Sequence, residues 1–160
     1  MERKPIKRSK HIVSLSQEHH TGLLFCWKIR HGLRKQVDTS RIQPYVAYFW
    51  DNHLRQHFRE EEELLFEKVN DDYCGKAVKQ HRELSNLIRQ VESSTSGPTP
   101  DLLNQLADQL DAHIRFEERE LFPHLEAVLD EQELISIGAI LAQSHETQAK
   151  DTFPDEFWIK

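Results

Sequence analysis

Apolar residues return at intervals of three and four along most of the chain. Between about residues 12 and 35 the stripe is Leu15, Leu23, Leu24, Trp27 and Leu33, with Ser14 and Gln17 at the spacing of a capping box. A second stripe, Val46, Trp50, Leu54, Phe58, Leu64 and Leu65, runs toward Val69, and Pro44 suits the first turn of its helix. Asp71 or Asp72 can cap a third helix carrying Val78, His81, Leu84, Leu87, Ile88 and Val91, which the run SSTSGPTP at residues 93–100 ends. Thr99 with Pro100 launches a fourth through Leu102, Leu103, Leu106, Leu110, Ile114 and Leu121, and Pro123 is expected to bend it. Asp130 with Glu133 opens a shorter helix to about Lys150, and the aromatic tail FPDEFWIK is expected to dock on the rest. No segment has the period of a strand. The pattern predicts an all-α protein, an up-down-up-down four-helix bundle over about residues 12–129, with a short helix and tail appended over about 131–160.

At 160 residues the chain has the size of one domain, residues 1–160, and its 30% charged and 38% hydrophobic residues fit a folded helical protein. There is no membrane span, and the basic start carries no apolar secretory segment, so the chain reads as cytoplasmic. A net charge of −6 argues against nucleic acid as a partner, and the basic arm Arg3, Lys4, Lys7, Arg8 and Lys10 reads as a solvated tail. Cys26 and Cys74 stand far apart without a CxxC partner and read as inert thiols.

Histidine changes the picture, with ten in the chain. His57 and Glu61 on the second helix and His113 and Glu117 on the fourth share one spacing, and the surrounding text repeats: HFREEEELLF at 57–66, HIRFEERELF at 113–122. Residues four apart lie about 40° round the helix and one turn along it, so each pair offers one nitrogen and one carboxylate to a common point. On the third helix, His81 lies on the apolar stripe. On the first, His19 aligns with Leu15, Leu23 and Cys26, and His20 replaces it if the helix is rotated. His53 and His124 are candidates for an outer partner or an extra ligand, whereas Glu60, Glu62, Glu63, Glu118 and Glu120 read as water-facing. Gly22, near the ligand level, either leaves room for a small ligand or lets helices approach. Trp50, Phe58 and Phe116 read as core or as a gate. Four imidazoles and two carboxylates suit two ions that accept mixed nitrogen and oxygen ligands, iron or manganese.

Together, EHH at 18–20, HFREEEELLF, QHREL at 80–84 and HIRFEERELFPHLE at 113–126 resemble the hemerythrin-like, cation-binding HHE family over about residues 12–129. The resemblance implies metal ligands His19, His57, Glu61, His81, His113 and Glu117, with Glu61 and Glu117 bridging two iron ions in an oxo- or hydroxo-bridged centre; manganese and zinc are the less favoured ions. Ala77 stands where erythrocyte-type hemerythrins carry one more histidine, and the four-His, two-Glu count is similar to that of bacterial iron-sulfur cluster repair proteins. Two functions are therefore expected of the same six residues. The first is binding or sensing a small diatomic such as oxygen or nitric oxide, or holding iron. The second is a redox-active diiron enzyme or iron donor. No nucleophile triad, P-loop or glycine fingerprint offers another chemistry. A protein partner is not indicated.

Overall fold

The computed structural model describes residues 7–145 and 151–159, and among these every regular element is helical. Five helices follow one another: α1 (Val13–Arg34), α2 (residues 39–69), α3 (Asp72–Glu92), α4 (residues 100–128) and α5 (Glu131–His145). None of the described helices is long and apolar enough to cross a membrane. Two of them are not α-helical throughout. In α2 the backbone widens to π-helix at Trp50–Leu54 and again at Glu61–Phe66, and in α4 at Glu117–Leu121.

Several boundaries follow the sequence signals. Asp71 caps α3 by accepting from the Cys74 N–H at 3.1 Å, and Thr99 caps α4 by accepting from the Leu102 N–H at 3.1 Å with Pro100 behind it. Asp130 and Glu133 exchange side-chain to backbone bonds at the start of α5. That helix is described to His145, so its expected extension to Lys150 lies outside the described residues.

Other boundaries differ. α1 begins after Ile12 with no side-chain cap, so Ser14 and Gln17 form no capping box. α2 starts at Thr39, where Asp38 accepts from the Ser40 N–H at 2.9 Å, and Pro44 lies inside the helix on an exposed face. A good cap sets the start, and one missing N–H is tolerated where water can serve the freed carbonyl. α4 continues through Pro123, and its departure from α geometry lies upstream of the proline. On α1 the buried face is Leu15, His19, Gly22, Phe25, Cys26 and Ile29, whereas Leu24 and Trp27 are 41% and 46% exposed.

α1 packs along α4 and against α2, while α3 packs against α2 and α4. Each of these four helices contributes to two apolar cores. One contains Phe25, Phe49, Leu84, Leu87 and Leu110; the other contains Leu15, Leu65, Ala77, Leu121 and Phe122, with Leu134, Ile137 and Leu141 of α5. At Gly22 a Cβ would stand 2.8 Å from Ile114 Cδ1, so the glycine lets α1 approach α4. The aromatic tail docks as expected: Phe157 is fully buried, and its ring meets that of Tyr45 with centroids 5.5 Å apart. Phe157→Ala should therefore lower stability by about 3–5 kcal/mol, read as a shift in the denaturant midpoint with unchanged slope. The basic arm is only partly solvated: Arg8 pairs with Glu126, donates to the Glu118 carbonyl at 2.7 Å, and lies over the Phe122 ring. Arg3 and Lys4 lie outside the described residues.

Candidate metal centre

Between the two cores the chain places a polar layer. α1 contributes His19, α2 His57 and Glu61, α3 His81, and α4 His113 and Glu117. The four histidines are at most 4% exposed and the two glutamates fully buried. Their inner atoms converge. His19 Nε2 stands 2.9 Å from Glu117 Oε1 and 3.6 Å from Glu61 Oε2. His57 Nε2 and His81 Nε2 are each 3.3 Å from Glu61 Oε1, and His113 Nε2 is 3.2 Å from Glu117 Oε1. These residues fall into two groups able to hold an ion, His19, His57, Glu61 and Glu117, and Glu61, His81, His113 and Glu117, each with donor atoms within 4.8 Å of one another. The groups share both carboxylates.

Each imidazole is also held from behind. His19 Nδ1 pairs with Glu118 at 2.8 Å, His57 Nδ1 with Glu18 at 3.0 Å, His81 Nδ1 with Glu62 at 2.8 Å, and His113 Nδ1 with Gln80 at 2.6 Å. An acceptor at Nδ1 fixes the proton there and turns the Nε2 lone pair inward, as in metal-bound histidines. Every partner is the chain neighbour of a centre residue and reaches the next helix: α1 to α2, α2 to α3, α3 to α4, α4 back to α1. Neighbours on a helix sit about 100° apart, so a residue beside an inward-facing one points sideways.

Glu62 and Glu118, expected to face water, therefore support histidines. Glu60, also expected to face water, is buried and bonded by His145 Nε2 at 3.1 Å, and that nitrogen lies 3.4 Å from Glu18 Oε1. Glu18, Glu60 and His145 form a third acid and imidazole group beside the outer ring. Glu18, Gln80 and His145 carried no role in the sequence reading, and the signal for the first two was adjacency to His19 and His81.

The other histidines separate cleanly. His20 is exposed, which settles the rotation of α1 in favour of His19. His124 bonds Asp71 at 2.5 Å and stacks on Tyr73, apart from the centre. His53 is buried, its Nε2 has no hydrogen-bond partner among the described residues, and it belongs to neither group. Phe58 stacks on the His81 ring with centroids 3.9 Å apart, and Phe122 on His19 at 5.2 Å. Both cysteines are free and buried, and burial pushes Cys26 up to about 12 and Cys74 to about 11.

Whether the residues fit metal ions is tested by what they leave unsatisfied. Among the described residues, Glu61 Oε1 and Oε2, Glu117 Oε2, and Nε2 of His57, His81 and His113 are buried without a hydrogen-bond partner. Such atoms are costly to desolvate unless something binds them. An ion with bonds of about 2.1 Å holds neighbouring ligands about 3 Å apart, close to the 2.9–3.3 Å of the shortest contacts here. The donor set, neutral nitrogen plus carboxylate with no thiolate, suits iron, manganese or zinc.

Two of the three π-helical segments begin at Glu61 and Glu117 themselves, so the repeated HxxxE text carries a repeated backbone distortion. Such segments concentrate at functional sites. The chain matches the model of the Hemerythrin HHE cation binding domain over residues 10–125. The chain belongs to that hemerythrin HHE family. No curated protein and no solved structure matches it.

In this hemerythrin-family chain the metal-free charge state follows from the same contacts. Burial alone would discharge His19, His57 and His81, but the carboxylates outweigh it and raise all three, His57 to about 9. Burial would likewise raise Glu61 and Glu117, and the imidazoles hold both down instead, Glu61 at about 2. The imidazolium contribution to metal-free stability is complete below the ordinary histidine value of 6.5 and lost as pH rises through about 9. The carboxylate contribution is complete above the ordinary value of 4.5 and lost as pH falls toward about 2. Thermal melts of metal-free protein should peak between these ordinary values. Cation uptake at neutral pH should release protons into weak buffer, with apparent affinity rising toward pH 9.

Proposed function

We propose that this chain is a non-haem diiron protein whose ligands are His19, His57, Glu61, His81, His113 and Glu117, and that its centre binds or senses a small diatomic such as oxygen or nitric oxide. The observation that carries the reading is the sharing of Glu61 and Glu117 by two ion-sized groups, each completed by two histidines. His19 and His57 would hold one ion, His81 and His113 the other, with both carboxylates common to the two. When bound, a pair of ferrous ions supplies electrons and open coordination positions for a small molecule. The chain's own part is to keep each Nδ1 proton on its outer acceptor, to present Nε2 inward, and to keep bulk water out between two apolar cores.

The reading includes the up-down-up-down bundle and the single domain over residues 1–160. Leu15 precedes Phe25 on α1 and Ala77 precedes Leu84 on α3, whereas Leu54 precedes Leu65 on α2 and Leu110 precedes Leu121 on α4, so the helices cross the two cores in alternating order. It also includes a cytoplasmic location and iron in preference to manganese or zinc.

A second reading, a redox-active enzyme or iron donor, is favoured by Ala77. It is fully buried in an apolar core, so no further imidazole enters from that position of α3. The test is anaerobic loading with Fe(II), followed by optical spectra under oxygen and under nitric oxide. A charge-transfer band that forms with the gas and vanishes when it is removed supports the binding module. Consumption of oxygen or release of iron over repeated cycles with an added reductant supports the second reading. Loss of neither, with no band at all, would overturn both.

A further inference from the structure

In the described part of the basic arm Lys7 and Lys10 are exposed, whereas the Arg8 side chain is only 6% exposed. A guanidinium keeps its charge in a protein, so burying it requires partners. Its three nitrogens are divided among three of them. Nη1 pairs with Glu126 Oε1, Nη2 donates to the Glu118 carbonyl at 2.7 Å, and Nε donates to the Ser16 hydroxyl at 3.2 Å. The other Glu126 oxygen accepts from the Ser9 N–H at 2.5 Å, so one carboxylate pins both side chain and backbone of the arm to α4.

Ser16 lies between Arg8 and the metal centre. The arginine can only donate, so the Ser16 oxygen accepts from it and the single hydroxyl proton passes on to Glu118 Oε2, 2.8 Å away. That oxygen also accepts from His19 Nδ1 at 2.8 Å, and His19 Nε2 is the atom that meets Glu117 at 2.9 Å. Arg8 thereby sets the direction of a row of bonds ending on a centre histidine. A second contact runs beside it: the guanidinium lies 5.2 Å from the Phe122 ring centroid, and the same ring stacks on His19. The other half of the centre is built differently. Among the described residues the side chains of Glu62 and Gln80 make no hydrogen bond besides those to His81 and His113, and Glu62 is partly open to water.

We infer that Arg8 is a positioning residue for the metal centre: by way of Ser16 and Glu118 it holds His19 in its ligating orientation, and so sets the affinity of the ion position built from His19 and His57 apart from that of the other. The ions in this statement rest on the diiron reading; the row of hydrogen bonds does not. Arg8→Met keeps a long stem against Phe122 and removes the donors, and Ser16→Ala removes only the link. In chelator competition each should weaken Fe(II) at the His19 and His57 step about tenfold, the lower end of an outer partner's effect, and leave the other step within about twofold. The sign separates positioning from charge, because deleting a positive charge near bound cations would by itself tighten both steps. In a Glu118→Ala background neither change should weaken that step further, since the row is already cut. Metal-free protein gives a second readout: exchange of the His19 Nδ1 proton, followed by nitrogen-edited NMR, should speed up about tenfold in both variants, as one lost hydrogen bond implies, with His81 Nδ1 unchanged. Should Arg8→Met fail to fold, Ser16→Ala decides. Equal weakening of both steps, tightening of both, or further weakening in the Glu118→Ala background would overturn the inference. Wild type that holds no iron, with exchange still responding to both variants, overturns the diiron reading and leaves His19 positioned by Arg8. Two ions held, with the variants altering neither readout, overturns this inference alone.

Discussion

Glu117→Ala should empty both metal positions at once, taking the content of iron-loaded protein from about two ions per chain to near zero. Glu117 is fully buried, belongs to both candidate groups, and stands 2.9 Å from His19 and 3.2 Å from His113. His113→Ala touches one group only, so it should spare most of the ion held by His19 and His57. The same Glu117 change should also destabilise the metal-free protein by about 3–5 kcal/mol, because it strands buried imidazolium charge without its partner. Denaturant unfolding of wild type and variant in chelator, beside elemental analysis of both after iron loading, checks the two effects together. Equal losses from His113→Ala and Glu117→Ala would mean that the carboxylate is not shared.

Breaking the outer ring should weaken one ion position at a time. Glu118→Ala removes the acceptor on His19 Nδ1 and a 2.8 Å bond from Ser16, and Glu18→Ala frees His57 Nδ1. Both should weaken the position built from His19 and His57 by about 10–100-fold. Glu62→Ala and Gln80→Ala should do the same at the other position, through His81 and His113. Chelator competition with two resolved binding steps reads this directly. If all four variants weakened both steps alike, the ring would be acting on overall packing and not on single histidines.

The sequence carried the main features of the centre because its chemistry recurs. Two HxxxE pairs on apolar stripes are hard to produce by chance, and the structure gathers both with His81 and His19 in one buried layer. Caps at Asp71, Thr99 and Asp130 were legible for the same reason: a side-chain oxygen in the right place has one obvious donor to serve. The outer ring was not legible. Glu62 and Glu118 sit in runs of acid that look like a solvated face, and only the neighbouring helix shows what each reaches.

The π-helical segments were equally hidden, since a one-residue widening has no compositional signature, even where it begins at Glu61 and Glu117. On α1 the alignment of His19 with Leu15 and Cys26 matches the buried face, whereas Leu24 and Trp27, drawn into the stripe by their hydrophobicity, are exposed and Gly22 is buried. There the close approach to Ile114 decides the face, and bulk hydrophobicity does not. The Pro44 start failed because a proline was given more weight than the Asp38 cap upstream of it.

The most direct test of a shared-carboxylate, dinuclear centre is the number of Fe(II) ions the wild-type chain retains after anaerobic loading and exhaustive desalting. The account predicts two per chain, both lost on Glu117→Ala. Retention of none, or of the same number by wild type and a folded Glu117→Ala variant, would contradict it.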